Sequence, residues 1–123
     1  MERVTGIGGF FFRAKDPKAL AKWYSEHLGV TLTPGNQHDE PWRQEAGTTV
    51  FEPFKADTTY FEPSTNPYMI NLAVDDLDGI LARCAEHGVV PVKTFPEEAN
   101  GKFAHIMDPE GNKIELWQPP EGQ

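Results

Sequence analysis

The sequence predicts an α+β fold built from two βαβββ modules, and the internal repeat is the main reason. One order of elements (apolar run, aspartate, amphipathic stretch, glycine, short apolar run) occurs twice at an offset of 59 residues. The amphipathic stretches have helical spacing, and extended, turn-rich segments follow them in both halves. We therefore expect a single domain over residues 1–123, with modules at about 4–56 and 66–118 and a linker at about 57–65.

The first module is expected to begin with a strand over Ile7–Ala14, in which three consecutive phenylalanines indicate that both faces are covered. Asp16 suits the N-cap of the following helix, and Pro17 suits its first position. Gly29 suits the left-handed residue that ends the helix. The apolar face of the helix is formed by Leu20, Trp23, Tyr24 and Leu28. A short strand and a hairpin complete the module, at Val30–Thr33 and about Trp42–Phe54.

The second module repeats these signals. Its first strand is expected over Tyr68–Val74, its helix is capped by Asp75, and Gly88 ends that helix. Cys84 lies on the apolar face of this helix and is expected to be a small core residue. The remaining strands are expected over Val89–Lys93 and in a hairpin over about Lys102–Gln118, which turns at Asp108–Asn112.

The composition excludes several classes of protein. A net charge of −8 argues against binding to a nucleic-acid backbone, which requires clustered cations. A single cysteine cannot form an intrachain disulfide, and no apolar run is long enough to span a membrane. The N-terminal residues lack the apolar region of a signal peptide, so we expect a cytoplasmic protein. The acidity is compatible with simple solubility or with a cleft for a cationic ligand.

Four segments of the chain resemble the vicinal oxygen chelate superfamily, which includes glyoxalase I, bleomycin-resistance proteins, extradiol dioxygenases and fosfomycin-resistance transferases. They are Phe12–Pro17, Trp23–Tyr24, Leu28–Val30 and, most specifically, Asp108–Leu116. The resemblance implies that the two modules form an eight-stranded curved mixed sheet around a cleft, with both helices outside. It also implies a homodimer, which is frequent in the superfamily.

The resemblance further implies four metal-ligand positions, on the first and fourth strands of each module. The metal-dependent members fill them with His or Gln, Glu, His and Glu, whereas this chain has Gly9, Glu52, Met69 and Glu115. Glycine has no ligand atom, and a thioether suits soft ions. Two carboxylates alone would hold a hard ion weakly. We therefore expect neither a family-type divalent metal nor another cofactor.

Alternation along the strands predicts which side chains line the cleft. The set combines aromatic and polar groups, as small-molecule sites do: Phe11, Arg13, Glu52, Phe54, Met69, Asn71, Glu115 and Trp117. Trp42 is placed at one end of the cleft, and His105 joins the set if its strand presents it to that face. Two carboxylates in a half-buried cleft would repel and raise a pKa, so Glu52, Glu115 and His105 are candidate proton-transfer groups. Alternatively, the aromatic residues fill the cleft or a dimer interface.

Three functions follow from these observations. The first is a metal-independent protein that binds a small organic ligand, flat or apolar, with a cationic or hydrogen-bond-donating group. The second is a metal-dependent lyase, isomerase or dioxygenase that uses Glu52, Glu115 and a third ligand such as His105. The third is a small interaction module. The missing imidazoles at the metal positions favour the first function over the second, and the sequence leaves open whether the protein is catalytic.

Overall fold

A computed structural model describes residues 8–31, 42–45 and 47–121 of the chain. These residues form an α+β structure with two helices and a four-stranded sheet. The elements are α1 (Pro17–Leu28), β1 (Ile70–Ala73), α2 (Leu77–Glu86), β2 (Lys93–Thr94), β3 (Lys102–Met107) and β4 (Lys113–Gln118). Neither helix in the described ranges is long and apolar enough to cross a membrane.

The ends of α1 agree with the sequence prediction. The Asp16 carboxylate accepts a hydrogen bond of 3.1 Å from the backbone N–H of Ala19, and Pro17 begins the helix. Gly29 ends it in the left-handed conformation, with φ 74°. These contacts satisfy backbone groups that a helix end would otherwise leave without partners.

The N-cap of α2 is Asp76, so the prediction of Asp75 was wrong by one residue. The Asp76 backbone is extended, and its side chain accepts from the N–H of Gly79. Beginning the helix one residue later places Leu77 in the core, where it is 4% exposed. The helix ends at Glu86, and Gly88 adopts the expected left-handed conformation just beyond it.

The sheet has the strand order β1-β4-β3-β2, with β1 parallel to β4 and the other pairs antiparallel. Together with α2 it forms one βαβββ module, as predicted for the second half. The hairpin of β3 and β4 has the predicted limits, Lys102 and Gln118. The strand predicted over Val89–Lys93 is instead the two-residue strand β2.

One face of the sheet packs against the helices. Cys84 is fully buried in this core, and burial raises the pKa of its thiol, so its predicted structural role is consistent with its surroundings. Each helix contributes two side chains to the buried cluster, and β3 and β4 contribute two each. The members are Leu20, Tyr24, Leu77, Cys84, Ala104, Ile106, Ile114 and Leu116.

The first half does not show the strands that the sequence predicted. Within the described ranges, residues 8–14, 42–45 and 47–54 form no strand, so the sheet has four strands and not eight. Phe11 and Phe51 are 93% and 84% exposed. A strand needs a neighbour for its backbone groups, and these segments have none among the described residues. Ile7, Leu32, Thr33 and Ala46 lie outside those residues, and the two-module organisation stays a prediction.

Candidate functional site

A row of polar side chains crosses the sheet on the face opposite the helices. Asn71 on β1 pairs with Glu115 on β4, Glu115 pairs with His105 on β3, and His105 pairs with Lys93 on β2. Because side chains alternate along a strand, the buried apolar residues of β3 and β4 face the helices while this row faces away. The orientation of His105, which the sequence left open, is therefore toward the face of Glu115. We call Asn71, His105 and Glu115 the polar row.

The Glu115 carboxylate is the centre of the polar row. Its Oε1 accepts 2.8 Å from Asn71 Nδ2, and its Oε2 accepts 2.9 Å from His105 Nε2 and 2.7 Å from the Tyr60 hydroxyl. Burial alone would raise the pKa of Glu115, but the hydrogen bonds from His105, Tyr60 and Asn71 hold it below its ordinary value. The carboxylate is therefore ionised at neutral pH, and His105 donates through Nε2.

The His105 ring is fully buried, and among the described residues only one of its nitrogens has a hydrogen-bond partner. Within the described part of the chain, Nδ1 has no hydrogen-bond partner. The rings of Tyr60 and Phe95 lie edge-on to the imidazole, with centroids 5.1 and 4.9 Å away. A buried polar nitrogen without a partner costs free energy, and such an atom in a native protein is frequently found at a functional site.

Tyr60 reaches the polar row from a short turn segment, residues 55–62, which we call the Tyr60 strap. The strap lies in the region predicted as a linker, and it packs over the sheet. The Lys113 ammonium donates 2.7 Å to the Tyr60 carbonyl, and the Phe54 ring stacks on the Tyr60 ring at 5.8 Å. Sequence reasoning missed Tyr60. The signal available was the Tyr60–Phe61 pair, since adjacent aromatic residues in a polar segment usually bury against something.

Two lysines lie close to the Tyr60 ring. The ammonium groups of Lys93 and Lys113 are 5.8 and 5.5 Å from its centroid. Burial and the charge of Lys93 lower the pKa of Lys113, and the negative charge of Glu115 partly offsets them. Two ammonium groups beside one aromatic ring are a local feature that the overall acidity of the chain did not predict.

Aromatic side chains extend the same face beyond the polar row. Trp117 stacks on Phe103 with centroids 6.1 Å apart and an interplanar angle of 10°. The Trp117 indole N–H donates 2.8 Å to the Asn100 carbonyl, which fixes the ring. Phe95 and Phe103 were missed by the sequence analysis because they follow no motif. Trp117 and Phe54 were predicted, and both lie near the polar row.

Within the described part of the chain, the other predicted site residues make no side-chain hydrogen bond to the polar row. Phe11, Arg13, Trp42 and Glu52 are exposed, and Met69 is half-buried next to β1. Among the described residues, no hydrogen bond or ion pair joins Glu52 to the row. The argument from repulsion predicted a raised pKa for at least one of the two carboxylates, whereas the pKa of Glu115 is lowered. Asn71, His105 and Glu115 are the predicted polar residues that come together.

The glyoxalase-like domain family matches residues 9–117 of the chain. The chain belongs to this glyoxalase-like family. The match spans most of both halves, and it supports the vicinal oxygen chelate superfamily that the sequence resembles. No curated protein matches the chain.

The chain is also similar to solved structures. TnmS3, an antibiotic-binding protein from Streptomyces sp. CB03234, is 25% identical with a TM-score of 0.62, covering 98% of this chain and 100% of that one. A glyoxalase/bleomycin resistance protein/dioxygenase superfamily member from Sphaerobacter thermophilus DSM 20745 is 21% identical with a TM-score of 0.53, covering 85% and 90%. A glyoxalase/bleomycin resistance protein from Catenulispora acidiphila DSM 44928 is 22% identical with a TM-score of 0.47, covering 85% and 90%.

The residues of this glyoxalase-like chain do not fit the metal site of the metal-dependent superfamily members. Gly9 has no donor atom, and the Met69 thioether is a poor ligand for a hard divalent ion. Both oxygens of Glu115 already accept hydrogen bonds from protein donors. In the described ranges, no group of three or more His, Cys, Asp or Glu side chains could hold a metal ion. We therefore derive no chemistry through a metal.

Proposed function

We propose that this glyoxalase-like protein binds a small organic molecule on the sheet face that carries the polar row, and that it does so without a metal. The observation behind the proposal is the hydrogen bonding of Glu115. Three protein donors occupy most of the roughly four acceptor sites on its two oxygens, so the carboxylate is held in a fixed orientation and is poorly available as a metal ligand.

The surroundings of the row support a binding role. Small-molecule sites combine aromatic walls with a few placed polar groups. Here Phe95, Phe103 and Trp117 lie on the sheet around the polar row, and Phe54 lies above it with Tyr60. Aromatic contacts contribute about 0.5–1.5 kcal/mol each beyond area burial. Several such contacts and one charge-assisted hydrogen bond correspond to micromolar affinity.

The similarity to TnmS3 supports the class of ligand. TnmS3 is an antibiotic-binding protein, and the similarity extends over almost the whole of both chains. An antibiotic-sized organic molecule would contact the exposed aromatic side chains in addition to the polar row. The proposal therefore includes sequestration of such a molecule as its simplest form.

A homodimer is part of the proposal, because one chain leaves large apolar side chains of its first half uncovered. Among the described residues, the exposed side chains of this kind include Phe10, Phe11, Phe12 and Phe51. A second copy of the chain would cover these side chains and enclose the ligand site.

A binding screen on metal-free protein tests the proposal. The protein is treated with a chelator, dialysed and titrated with a panel of aromatic antibiotics, while tryptophan fluorescence and heat of binding are measured. We expect micromolar binding without added metal, because the polar and aromatic groups belong to the chain itself. Trp117 is the tryptophan on the site face, and Trp117→Phe should remove the main part of the fluorescence response while ligand binding persists calorimetrically.

Two outcomes would contradict this function. Binding that occurs only after a divalent metal is added would support the metal-dependent alternative. Binding that is unchanged in both Glu115→Gln and Trp117→Phe by calorimetry would place the ligand away from the polar row. Glu52→Gln is the control variant, since Glu52 is an exposed carboxylate outside the row.

A further inference from the structure

We infer that Tyr60 occupies the position of the ligand, and that the site takes neutral flat rings that carry a hydroxyl group and displace Tyr60 from Glu115. The inference rests on the proposed binding function and adds the chemical class of the ligand. It starts from the unusual place of Tyr60, whose hydroxyl is bonded to the carboxylate at the centre of the site although the residue belongs to a turn segment.

The donors to Glu115 differ in how they are held. Asn71 and His105 lie on neighbouring strands of the same sheet, at paired register positions. Tyr60 comes from outside the sheet. Of the three donors to Glu115, it is therefore the one that can leave without breaking the sheet. Its departure frees one acceptor site on Oε2, to which a hydrogen-bond donor of the ligand can bind.

The hydrogen bonds within the Tyr60 strap allow a ligand to take the place of Tyr60. Its own bonds are local turns, from Thr58 N–H to the Lys55 carbonyl at 3.0 Å and from Glu62 N–H to the Thr59 carbonyl at 3.1 Å. These four residues are exposed or half-exposed, and none belongs to the buried core. Segments with few buried apolar contacts open at low free-energy cost. Displacement of Tyr60 breaks the bond from Lys113 to its carbonyl and the stacking on Phe54, while the sheet and the helices keep their packing.

The side chains around the Tyr60 ring favour a flat and electron-rich group at that position. Phe54 stacks on one side of the ring at an interplanar angle of 25°, and the His105 imidazole meets it at 87°. The ammonium groups of Lys93 and Lys113 favour the negative face of an aromatic ring. The same two charges repel a cationic group placed over the ring, whereas the Glu115 carboxylate lies at the hydroxyl end of the ring.

The unpartnered nitrogen of His105 is a second, independent indication. Nδ1 is buried without a hydrogen-bond partner in the described part of the chain, while the Tyr60 ring packs against the imidazole at an interplanar angle of 87°. Native proteins rarely leave such an atom unsatisfied. Departure of Tyr60 uncovers one side of the His105 ring, and a ligand or its accompanying water can then reach the imidazole.

Three matched probes test the inference: 2-naphthol, 2-methoxynaphthalene and 2-naphthylmethylammonium. Their affinities are measured by calorimetry for wild type, Tyr60→Phe and Tyr68→Phe. We expect wild type to prefer 2-naphthol over the methoxy compound by about tenfold or more, because only the naphthol donates to Glu115. Tyr60→Phe should bind 2-naphthol about tenfold more tightly than wild type, since no internal hydroxyl competes.

Tyr68→Phe is the matched control. Tyr68 also donates its hydroxyl to a side chain, Asn112, but it does not contact Glu115, so this variant should bind 2-naphthol as wild type does. Circular dichroism verifies that each variant is folded. If the strap rearranges in Tyr60→Phe, the comparison of the three probes on wild type still decides the ligand class.

The results separate this inference from the proposed function. Equal affinity of wild type and Tyr60→Phe for 2-naphthol, or a preference for the methoxy or ammonium probe, overturns the inference. If no probe binds but the antibiotic screen finds metal-independent ligands, the ligand class is wrong and the binding function stands. If neither the probes nor the screen gives a ligand, the proposed function itself fails.

Discussion

The Tyr24 hydroxyl donates a buried hydrogen bond of 2.7 Å to Asp108 Oδ2, across 84 positions of sequence. The bond joins α1 to the turn between β3 and β4. In the same turn, the Glu110 carboxylate accepts from the backbone N–H groups of Lys15 and Asp16, at 2.6 and 3.0 Å, just before α1 begins. The turn of the second half therefore holds the start and the middle of the helix contributed by the first half.

Replacement of Tyr24 by phenylalanine should lower the free energy of unfolding by about 1.5–3 kcal/mol, the range for a hydrogen bond to a charged group. The ring stays in the core, so the change isolates the hydroxyl. Urea denaturation measures the effect. The Tyr68→Phe variant removes a bond to the neutral side chain of Asn112, and it should cost only about 0.5–1.5 kcal/mol. Equal losses in the two variants would show that the charge of Asp108 is unimportant.

The tyrosines also predict how stability depends on alkaline pH. The chain has three tyrosines, and burial raises the pKa of Tyr24, Tyr60 and Tyr68 above its ordinary value. Hydrogen bonds to Asp108 and Glu115 add to the effect for Tyr24 and Tyr60. A raised pKa in the folded state contributes stability that is complete below about pH 10 and is lost above it, as the unfolded chain ionises first.

Denaturation midpoints measured at a series of pH values should therefore fall above about pH 10. The fall should be smaller in Tyr24→Phe, because one of the three ionisations is removed. Phenolate absorbance gives an independent measurement, and it should rise together with unfolding. Phenolate formation near pH 10 in a fully folded protein would contradict the buried, hydrogen-bonded positions of these side chains.

Local signals in the sequence were sufficient for several elements. The Asp16 cap, the glycine that ends α1 and the hairpin around Asp108–Asn112 depend on neighbouring residues alone, and the structure has all three. The choice between Asp75 and Asp76 was not local, because it depends on which register buries Leu77. A cap prediction among adjacent aspartates therefore needs the core as well as the cap preference.

The site was predictable only where strand alternation determined it. Alternation relates Glu115 to Trp117 on β4, and the structure confirms that they share a face. The contact of Tyr60 with Glu115 spans 55 positions and follows from the path of the strap, which no periodicity encodes. The strands of the first half were predicted from apolar runs. Those runs indicate that the segments need to be buried, but they do not indicate whether the same chain or a second chain buries them.

Replacement of Glu115 by glutamine should lower the free energy of unfolding by about 1–3 kcal/mol in the absence of any ligand. The glutamine amide has one acceptor oxygen, whereas Tyr60, His105 and Asn71 all donate to the carboxylate. At least one buried donor then loses its acceptor or faces the new NH₂ group. Glu52→Gln makes the same chemical change at an exposed position and should leave the urea midpoint unchanged. A similar loss in both variants would contradict the central role of Glu115.

The metal content of the protein follows from the donor set. After extensive dialysis, elemental analysis should find well under one divalent ion per chain, because Gly9 and Met69 replace the imidazole or amide ligands of the metal-dependent members. The urea midpoint should also be the same with and without a chelator. Stoichiometric zinc, nickel, manganese or iron that survives dialysis would contradict the metal-free proposal and favour the lyase, isomerase or dioxygenase alternative.

The proposed homodimer predicts different effects for two exposed apolar residues. Phe51 and Val90 are 84% and 71% exposed in the single chain, so replacing either by aspartate should not disturb the fold of one chain. Phe51 lies in the first half, among the side chains that we expect a second copy to cover. Val90 lies between α2 and β2, outside that group.

Light scattering at micromolar concentration should report about twice the chain mass of 13.8 kDa for wild type and for Val90→Asp. Phe51→Asp should shift the protein toward the single-chain mass, because an interface does not bury an unpaired carboxylate without a large desolvation cost. The dimer should bury more than about 1,000 Å² in total, as stable interfaces do. A wild-type mass of one chain would remove the second copy from the proposal, and the exposed phenylalanines of the first half would then require another partner.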